Sequence, residues 1–390
     1  MKRIFISAIS FLIAFVVLSI CEKTPLQVFR DAAFQINSRF GAGITKPLNT
    51  DEIILIDFNY ETIYLRPDFQ EHTKIAELAE LIDSLGAKQI ILDMEVDFDP
   101  GEDTRYTSWQ FLSKCKSLIL TGLYLGDSRN NLMNRSTTPI QKFSIGIDPE
   151  YISGNDLASY SLPLPEYLTA CSGFGFVNSI YQGSTFIGCP LFLKKSGYVF
   201  PSAFLSSIIN SLEIKTDQIT INSKQVSLNS HFEIPSEDGL MRYYPMMNTN
   251  FSTIPAYKAF SLTEKSVAGK TVILGRSLLG RDYHFTITGK QVWGTEILAS
   301  LILQIKQKRF LSRSHFIFTF LFSILFTYLI LSIPKKYCSI SFLLVVLISF
   351  FIGALFYSLG KILPSDTIVL STWIGTALNQ WFKKLPLNKE

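Results

Sequence analysis

Two aspartates follow continuous apolar runs, and they are the first residues in the chain whose positions suggest chemistry. Asp57 ends the run at residues 53–56, and Asp93 ends the run at residues 90–92. Runs of this kind are typical of strands buried on both faces of a parallel sheet. Ligands of such sheets bind at the carboxyl ends of the strands, so both carboxylates are candidates for contact with a polar or cationic ligand.

More acidic residues follow the second run, and they allow more than one interpretation. The cluster comprises Asp93, Glu95, Asp97, Asp99, Glu102 and Asp103. Carboxylates at this spacing suit a hard cation such as calcium, but the segment lacks the glycine and the closing glutamate of a calcium loop. We therefore predict no metal site. A ligand site and a solvated strand exit, whose aspartates accept hydrogen bonds from loop amides, both remain open.

Two further charged residues follow a third apolar run, at residues 271–274. Arg276 and Asp282 would lie at the same sheet edge if all three runs form parallel strands. Carboxylates and a guanidinium at one edge suit a zwitterionic or polar ligand, because each charge finds an opposite partner. An internal ion pair would explain the same residues. The predicted ligand-binding residues are Asp57, Asp93, Arg276 and Asp282.

The patterns of enzymes and cofactor sites fail in this sequence. Residues 269–271 (GKT) would need a glycine at position 264 to form a phosphate-binding loop, and Glu264 stands there. Leu279 stands where a nucleophile elbow at residues 275–279 needs its last glycine. The four histidines, at positions 72, 231, 284 and 315, lack metal-ligand spacing. We predict neither enzymatic activity nor a cofactor.

A helix must connect the first two strands. Residues 72–85 carry apolar side chains at the helical period, and Gly86 follows at the C-cap position. Strand, helix and strand form a right-handed βαβ unit, which predicts that Asp57 and Asp93 lie on neighbouring parallel strands. A further strand is expected at 117–124, and helices at 201–212, opened by Pro201, and at 295–307. The predicted fold class is α/β, with a largely parallel sheet and helices on both faces.

The five cysteines do not make a disulfide framework. Cys21 and Cys338 lie at the ends of apolar segments, which leaves Cys115, Cys171 and Cys189. A Cys171–Cys189 bridge can form outside the cytoplasm. Unpaired buried thiols fit the sequence equally well, and both interpretations stay open.

Four segments have the length to cross a membrane, which takes about 20 residues. They lie at residues 1–22, 314–334, 337–359 and 362–382, and Trp373 and Trp381 suit interface anchoring of the last. The first segment has no small-residue cleavage pattern, so we expect an uncleaved anchor. The predicted organisation is this anchor, one α/β domain at 23–312, three further spans and a short tail at 383–390.

Basic residues concentrate at the membrane flanks. Residues 1–30 carry a net charge of +3 and residues 305–390 carry +8, which leaves −7 for residues 31–304. This acidic domain argues against a nucleic-acid partner. The Lys/Arg pairs at 2–3, 335–336 and 383–384 predict cytoplasmic termini, with the domain outside a bacterial cytoplasmic membrane. The cluster of Lys306, Lys308, Arg309 and Arg313 disagrees, since it would face outward.

Several segments, in this order, resemble the second class of CHASE domains, the cyclase/histidine-kinase-associated sensory extracellular domains. They are residues 53–57 (IILID), 86–93 (GAKQIILD), 174–178 (FGFVN), 190–191 (PL), 198–202 (YVFPS) and 269–275 (GKTVILG), then Asp282 and residues 294–296 (GTE). The resemblance extends over most of residues 50–310, and one span before and three after the domain also match the family's architecture. The sequence departs from the family at residues 64–69 (YLRPDF), where a WPWPR-like stretch is common, and at Leu298, where His is common. Ligand contacts that other members make there are not carried over.

The resemblance implies an extracytoplasmic sensor, in which the outer domain binds a small molecule or envelope component and shifts the packing of the spans. Most members continue into a cyclase, kinase or histidine-kinase domain, whereas this sequence ends at Glu390. The expectation is therefore a stand-alone member that signals to a separate membrane or cytoplasmic protein. The alternative is a structural or scaffolding subunit of an envelope complex, with no small-molecule ligand.

Overall fold

The computed structural model describes residues 2–20, 25–94, 100–124, 138–152, 160–182, 184–222, 224–229, 232–236, 239–244, 249–277, 283–334 and 337–384. The helices are α1 (Lys2–Ile20), α2 (Pro25–Ile44), α3 (Tyr60–Leu65), α4 (His72–Ser84), α5 (Glu102–Leu112), α6 (Pro165–Ala170), α7 (Ala203–Ser211), α8 (Ala256–Ala259), α9 (Glu264–Val267), α10 (Gly294–Lys306), α11 (Phe316–Ser332), α12 (Cys338–Ser358) and α13 (Ser365–Lys384).

The strands are β1 (Ile53–Asp57), β2 (Gln89–Asp93), β3 (Leu118–Tyr124), β4 (Tyr160–Ser161), β5 (Gly173–Phe176), β6 (Ile180–Gln182), β7 (Thr185–Pro190), β8 (Phe192–Lys195), β9 (Tyr198–Pro201), β10 (Ile219–Ile221), β11 (Gln225–Leu228), β12 (Phe232–Pro235), β13 (Leu240–Arg242), β14 (Ser252–Pro255), β15 (Thr271–Gly275), β16 (Tyr283–Thr286), β17 (Gln291–Trp293), β18 (Ser312–Arg313) and β19 (Lys361–Ile362).

A seven-stranded sheet forms the centre of the α/β domain, in the order β14-β1-β15-β2-β3-β4, with β5 also paired to β3. All of these pairings are parallel except that of β3 with β4. The apolar strands serve two cores at once: Ile53 and Leu55 belong to one core and Ile54 and Ile56 to the other. Residues of α7 and α10 line the first core, and residues of α4, α5, α6 and α9 line the second. The predicted α/β class, with helices on both faces, is confirmed.

The predicted adjacency of β1 and β2 is wrong. Both strands run in parallel, but β15 lies between them and pairs with each along its whole length. A βαβ connection fixes the hand of a crossover, but it leaves room for a strand that arrives later in the chain. Residues 271–275 supply that strand, which comes from far along the sequence.

A second, β-rich part packs against the α7 and α10 side of the sheet. It contains a five-stranded sheet (β13-β7-β16-β17, with β6 paired to β7) and a three-stranded sheet (β10-β11-β12). β8–β9 and β10–β11 are antiparallel hairpins, and Ser196 and Gly197 turn the first with φ of 50° and 79°. The prediction for Pro201 is wrong: this residue ends β9. Ser202 stands at the N-cap position of α7, without a side-chain capping hydrogen bond.

The apolar helices lie at the two ends of the chain. α12 is long and apolar enough to cross a membrane, with a mean hydropathy of 2.6, and the segments Arg3–Val17 and Phe316–Ser332 are shorter apolar helices. Among the described residues no other helix meets the requirements of a span. α1 packs against α11 and α13, and the Phe11 ring lies 5.3 Å from the Phe316 ring and 5.1 Å from the Phe320 ring.

The positions of Cys171 and Cys189 in different cores exclude a disulfide between them. Cys171 lies in the core that contains α4, and Cys189 lies in the core on the opposite face of the sheet. Cys115, Cys171 and Cys189 are therefore buried free thiols. Burial raises the pKa of Cys115 and of Cys171 to about 12, so both stay protonated and unreactive at neutral pH.

Candidate functional site

The carboxyl ends of three central strands form one row. In the strand register Asp57 is opposite Gly275, and Gly275 is opposite Asp93. Neighbouring strands lie about 4.8 Å apart, so the two aspartates are about 10 Å apart at their backbones. Aligned residues of parallel strands point to the same face, here the face covered by α10. The expectation that both carboxylates lie at one sheet edge is confirmed, although their strands are not neighbours.

Gly275 allows the first turn of α10 to approach this row. A side chain at position 275 would overlap Thr295 Oγ1, and its Cβ would lie 2.9 Å from Thr295 Cγ2. Thr295 is itself buried, on the first turn of the helix. The glycine is therefore required by packing, and it fixes where α10 begins relative to the sheet.

Asp57 is engaged inside the protein. Its side chain is 5% exposed, and its Oδ1 accepts a hydrogen bond of 3.0 Å from the Ser277 backbone N–H. The Ser277 hydroxyl donates to the second carboxylate oxygen. Burial raises the pKa of Asp57, and the two bonds from Ser277 oppose that shift. Asp57 thus holds the segment that carries Arg276 against the end of β1.

The other predicted residues differ in what surrounds them. Asp93 and Arg276 are both half-buried at the same edge, as the sequence predicted. Asp282 lies outside the described residues, as do Glu95, Asp97 and Asp99. Within the described ranges, no group of three or more His, Cys, Asp or Glu residues could hold a metal ion.

A further carboxylate, which no motif in the sequence indicates, lies in this region. Glu296 lies in the first turn of α10, where the Trp293 backbone N–H donates to it. Burial raises the pKa of Glu296, the nearby charge of Asp57 raises it further, and Lys290 opposes the shift. In the sequence, Glu296 belongs to the segment 294–296 of the family resemblance. Its strand-then-helix context, with Glu at the third helical position, was the available signal.

A narrow cleft lies beside Glu296. Its lining includes Glu296 and Lys290, the hydroxyl-bearing Tyr243, Thr288 and Ser300, and the loop residues Leu48 and Thr249. The space available to a water-sized group is about 20 Å³, enough for about one ordered water. The cleft in this state therefore suits water or a very small polar group rather than a metabolite.

Tyr244 connects this region to the apolar helices. Its hydroxyl donates to the backbone carbonyl of Tyr357 near the end of α12, and it also lies 3.4 Å from Thr45 Oγ1. The Tyr244 and Tyr357 rings meet edge to face at 5.1 Å. The side-chain amide of Gln304, on α10, bonds the Tyr244 backbone twice: its Nε2 donates to the Tyr244 carbonyl at 3.0 Å, and its Oε1 accepts from the Tyr244 N–H at 3.3 Å. The buried Tyr244 thus joins the α/β domain to α12.

The comparison with protein families gives the identity of this arrangement. A family model described as CHASE2 domain matches residues 8–333, most of the chain. The chain belongs to the CHASE2 family. CHASE2 domains are sensory extracellular domains. The match confirms the resemblance in the central strands and extends it from the first apolar helix to the end of α11. No curated protein and no solved structure matches the chain.

The raised pKa of Glu296 predicts that the stability of this CHASE2 domain depends on pH. Because its pKa is raised on folding, the folded state binds more protons than the unfolded chain. The stability that this group contributes is present in full below about pH 4.5, the ordinary pKa of a glutamate, and is lost as the pH rises through the pKa of the folded state. We expect Glu296→Gln to remove this loss, so that its melting temperature relative to wild type rises between pH 4 and pH 7.

Thermal unfolding of the purified chain, followed by tryptophan fluorescence across that pH range, measures this difference. Glu233→Gln, on an exposed position of β12, is the matched control. A pH-independent difference between Glu296→Gln and wild type would contradict the assignment.

Proposed function

We propose that this CHASE2 protein is an extracytoplasmic sensor that transmits ligand binding through its membrane helices to a separate protein. The observation that supports it best is the buried Tyr244–Tyr357 contact, which joins the domain to α12. A ligand shifts such an equilibrium only through its different affinities for two states. Because the domain and α12 are rigidly linked, two states that differ in the domain also differ in the position of α12.

The proposed membrane arrangement has four spans, formed by α1, α11, α12 and α13, with both termini in the cytoplasm. The apolar character of α1, α11 and α12 supports it, and so do the basic pairs at 2–3, 335–336 and 383–384. The domain then lies on the outer side of a bacterial cytoplasmic membrane.

A reporter that is active only in the cytoplasm tests this orientation. We expect no activity when it is inserted at Ser230, between β11 and β12, and full activity when it is fused after Glu390. The fusion after Glu390 is the control for expression. Activity at Ser230 would contradict the orientation.

The proposed ligand is a small zwitterionic or polar molecule at the carboxyl edge of the sheet. Asp93 and Arg276 supply opposite charges there, Asp57 holds the Ser277 segment in place, and Asp282 is the fourth proposed contact. Opposite charges at a half-buried edge give charge-assisted hydrogen bonds to a ligand that carries both signs.

Thermal shift of the purified chain with amino acids and glycine betaine tests this site. A ligand at 100 times its Kd stabilises the wild type by about 2.7 kcal/mol, and we expect Asp93→Asn and Arg276→Gln to lose that shift. Lys258→Gln, an exposed residue of α8, is the matched control that should keep it. A shift that survives both edge substitutions would place the ligand elsewhere. A stoichiometric protein partner in mild detergent, together with no stabilising ligand, would favour a scaffolding subunit instead.

A further inference from the structure

A basic junction lies between the domain and the apolar helices. It consists of three linkers, residues 45–52, 306–315 and 359–364, which are bonded to one another. The Gln307 side chain bonds the Asn49 backbone at 2.7 and 3.2 Å, and the Ser312 backbone N–H donates to the Gly360 carbonyl at 3.0 Å. β18 and β19 pair in parallel across the last two linkers. The three linkers therefore form one surface.

The charge of this junction is strongly positive. It contains six Lys or Arg residues and two acidic residues, Asp51 and Glu52. The cations are Lys46, Lys306, Lys308, Arg309, Arg313 and Lys361. Lys306 pairs with Glu52 at 3.2 Å. Lys46, Lys308 and Lys361 are exposed, and none of the three has an ion pair within the described residues.

Two of these lysines have neutral neighbours. Lys361 Nζ lies 2.9 Å from Ser312 Oγ, and Lys308 Nζ lies 5.5 Å from the centre of the Phe232 ring. Lys308 also holds a left-handed backbone conformation, with φ of 52°. These contacts orient the ammonium groups but do not neutralise their charge. A bound anion would therefore still form charge-assisted hydrogen bonds with them.

Exposed apolar side chains border the same junction. Ile36, Phe40 and Ile44 recur at every fourth residue of α2 and are 38%, 69% and 58% exposed. Phe316, directly after the second linker, and Leu359, the first residue of the third, are 52% and 76% exposed. Cations directly beside an exposed apolar row are the arrangement of segments that lie at a membrane surface, with the row in the acyl boundary and the charges at the headgroups.

We infer that the junction binds the phosphate headgroups of anionic lipids in the leaflet next to the domain. The excess positive charge, the apolar rows beside it and the adjoining apolar helices all fit this one occupant. Each cation near an anionic membrane surface strengthens binding about fivefold. The inference rests on the proposed placement of the apolar helices in a membrane, and it is independent of the proposed ligand at the sheet edge.

This binding would also explain the basic residues that disagree with the orientation rule. Cations on the domain side would be retained because they hold lipid. The Tyr244–Tyr357 contact lies at the same junction, since Gly360 packs against Phe310 and the Tyr244 ring. Bound headgroups would therefore lie beside the link between domain and α12.

The test uses the purified full chain in a neutral detergent, titrated with phosphatidylglycerol or phosphatidylcholine while its melting temperature is measured. We expect phosphatidylglycerol to raise the melting temperature and phosphatidylcholine or inorganic phosphate to have little effect. The triple variant Lys46→Gln, Lys308→Gln, Lys361→Gln should need roughly a hundredfold more phosphatidylglycerol for the same shift. The control triple variant Lys142→Gln, Lys215→Gln, Lys258→Gln, exposed lysines outside the junction, should respond like wild type.

Equal phosphatidylglycerol responses in the two triple variants, or no response in wild type, would overturn the inference. An equal effect of inorganic phosphate would also overturn it, since the site would then be a free-anion site. The melting temperature without lipid reports folding of each variant. The thermal shift with amino acids or betaine in the junction variant separates this inference from the proposed ligand site.

Discussion

Replacing Gly41 by alanine will destabilise the protein, whereas the same replacement at Gly43 in the same helix will stabilise it. A Cβ at position 41 would lie 2.7 Å from the Ala354 carbonyl oxygen and 2.7 Å from the Tyr357 side chain, where α2 and α12 are in contact. A Cβ at position 43 meets nothing within 4 Å. Neither glycine has a positive φ, so helix propensity acts equally at both positions.

The two effects can therefore be separated. Alanine in a helix is favoured over glycine by about 1 kcal/mol, and Gly43→Ala should gain that amount. Overpacking typically costs about 1–3 kcal/mol, and at position 41 one of the contacts is a backbone atom that cannot rotate away. We expect Gly41→Ala to lower the melting temperature in detergent by several degrees relative to Gly43→Ala. Equal melting temperatures would mean that α2 does not pack closely on α12.

Gly275→Ala, at the centre of the candidate site, is the second substitution with a large expected effect. Its Cβ would overlap Thr295 Oγ1 and lie 2.9 Å from Cγ2. Thr295 is β-branched and buried, so its side chain has few other rotamers. Either β15 or the first turn of α10 must shift, which we expect to cost about 1–3 kcal/mol of stability.

A second substitution makes this prediction specific. In Gly275→Ala combined with Thr295→Ala, the two overlapping atoms are gone, and the closest remaining distance is 3.1 Å, between the two Cβ atoms. We expect the double variant to recover most of the stability that Gly275→Ala loses, as measured by melting temperature. Gly146→Ala, which meets nothing within 4 Å, is the control for a glycine-to-alanine change. A double variant no more stable than Gly275→Ala would show that Thr295 is not the obstacle.

Local patterns in the sequence predicted four strands of the central sheet, β1, β2, β3 and β15, and the helices α4, α7 and α10. The continuous apolar run at 53–56 reflects strict alternation between two cores, which is why it was recognisable as a doubly buried strand. Gly86 follows the C-cap residue Leu85 and ends the helix with φ of 82°, a conformation that favours glycine. These features depend on neighbours within a few residues, and a sequence shows such neighbours directly.

Long-range features were predicted less well, for a physical reason. The insertion of β15 between β1 and β2 is a choice made by residues more than 175 positions away, and no local signal records it. The burial of Asp57 depends likewise on Ser277, and no spacing pattern in the sequence indicates the contact between the Ser277 hydroxyl and Asp57. Glu296 was missed because its significance comes from packing against the row, although its helix was predicted. The carboxyl-edge residues themselves were predictable, since strand direction alone brings them together.

α10 reaches from one end of the domain to the other. It begins against Gly275 at the carboxyl edge of the sheet and ends near Gln307, whose side chain bonds Asn49 at the opposite edge. Thirteen helical residues span about 20 Å and bend little over that length. A small displacement of the first turn therefore moves the far end of the helix by almost the same distance. Near that end, Gln304 is hydrogen-bonded to the Tyr244 backbone. One helix is thus sufficient to connect the carboxyl edge of the sheet to the linkers that lead to the apolar helices, without any relay of side chains between them.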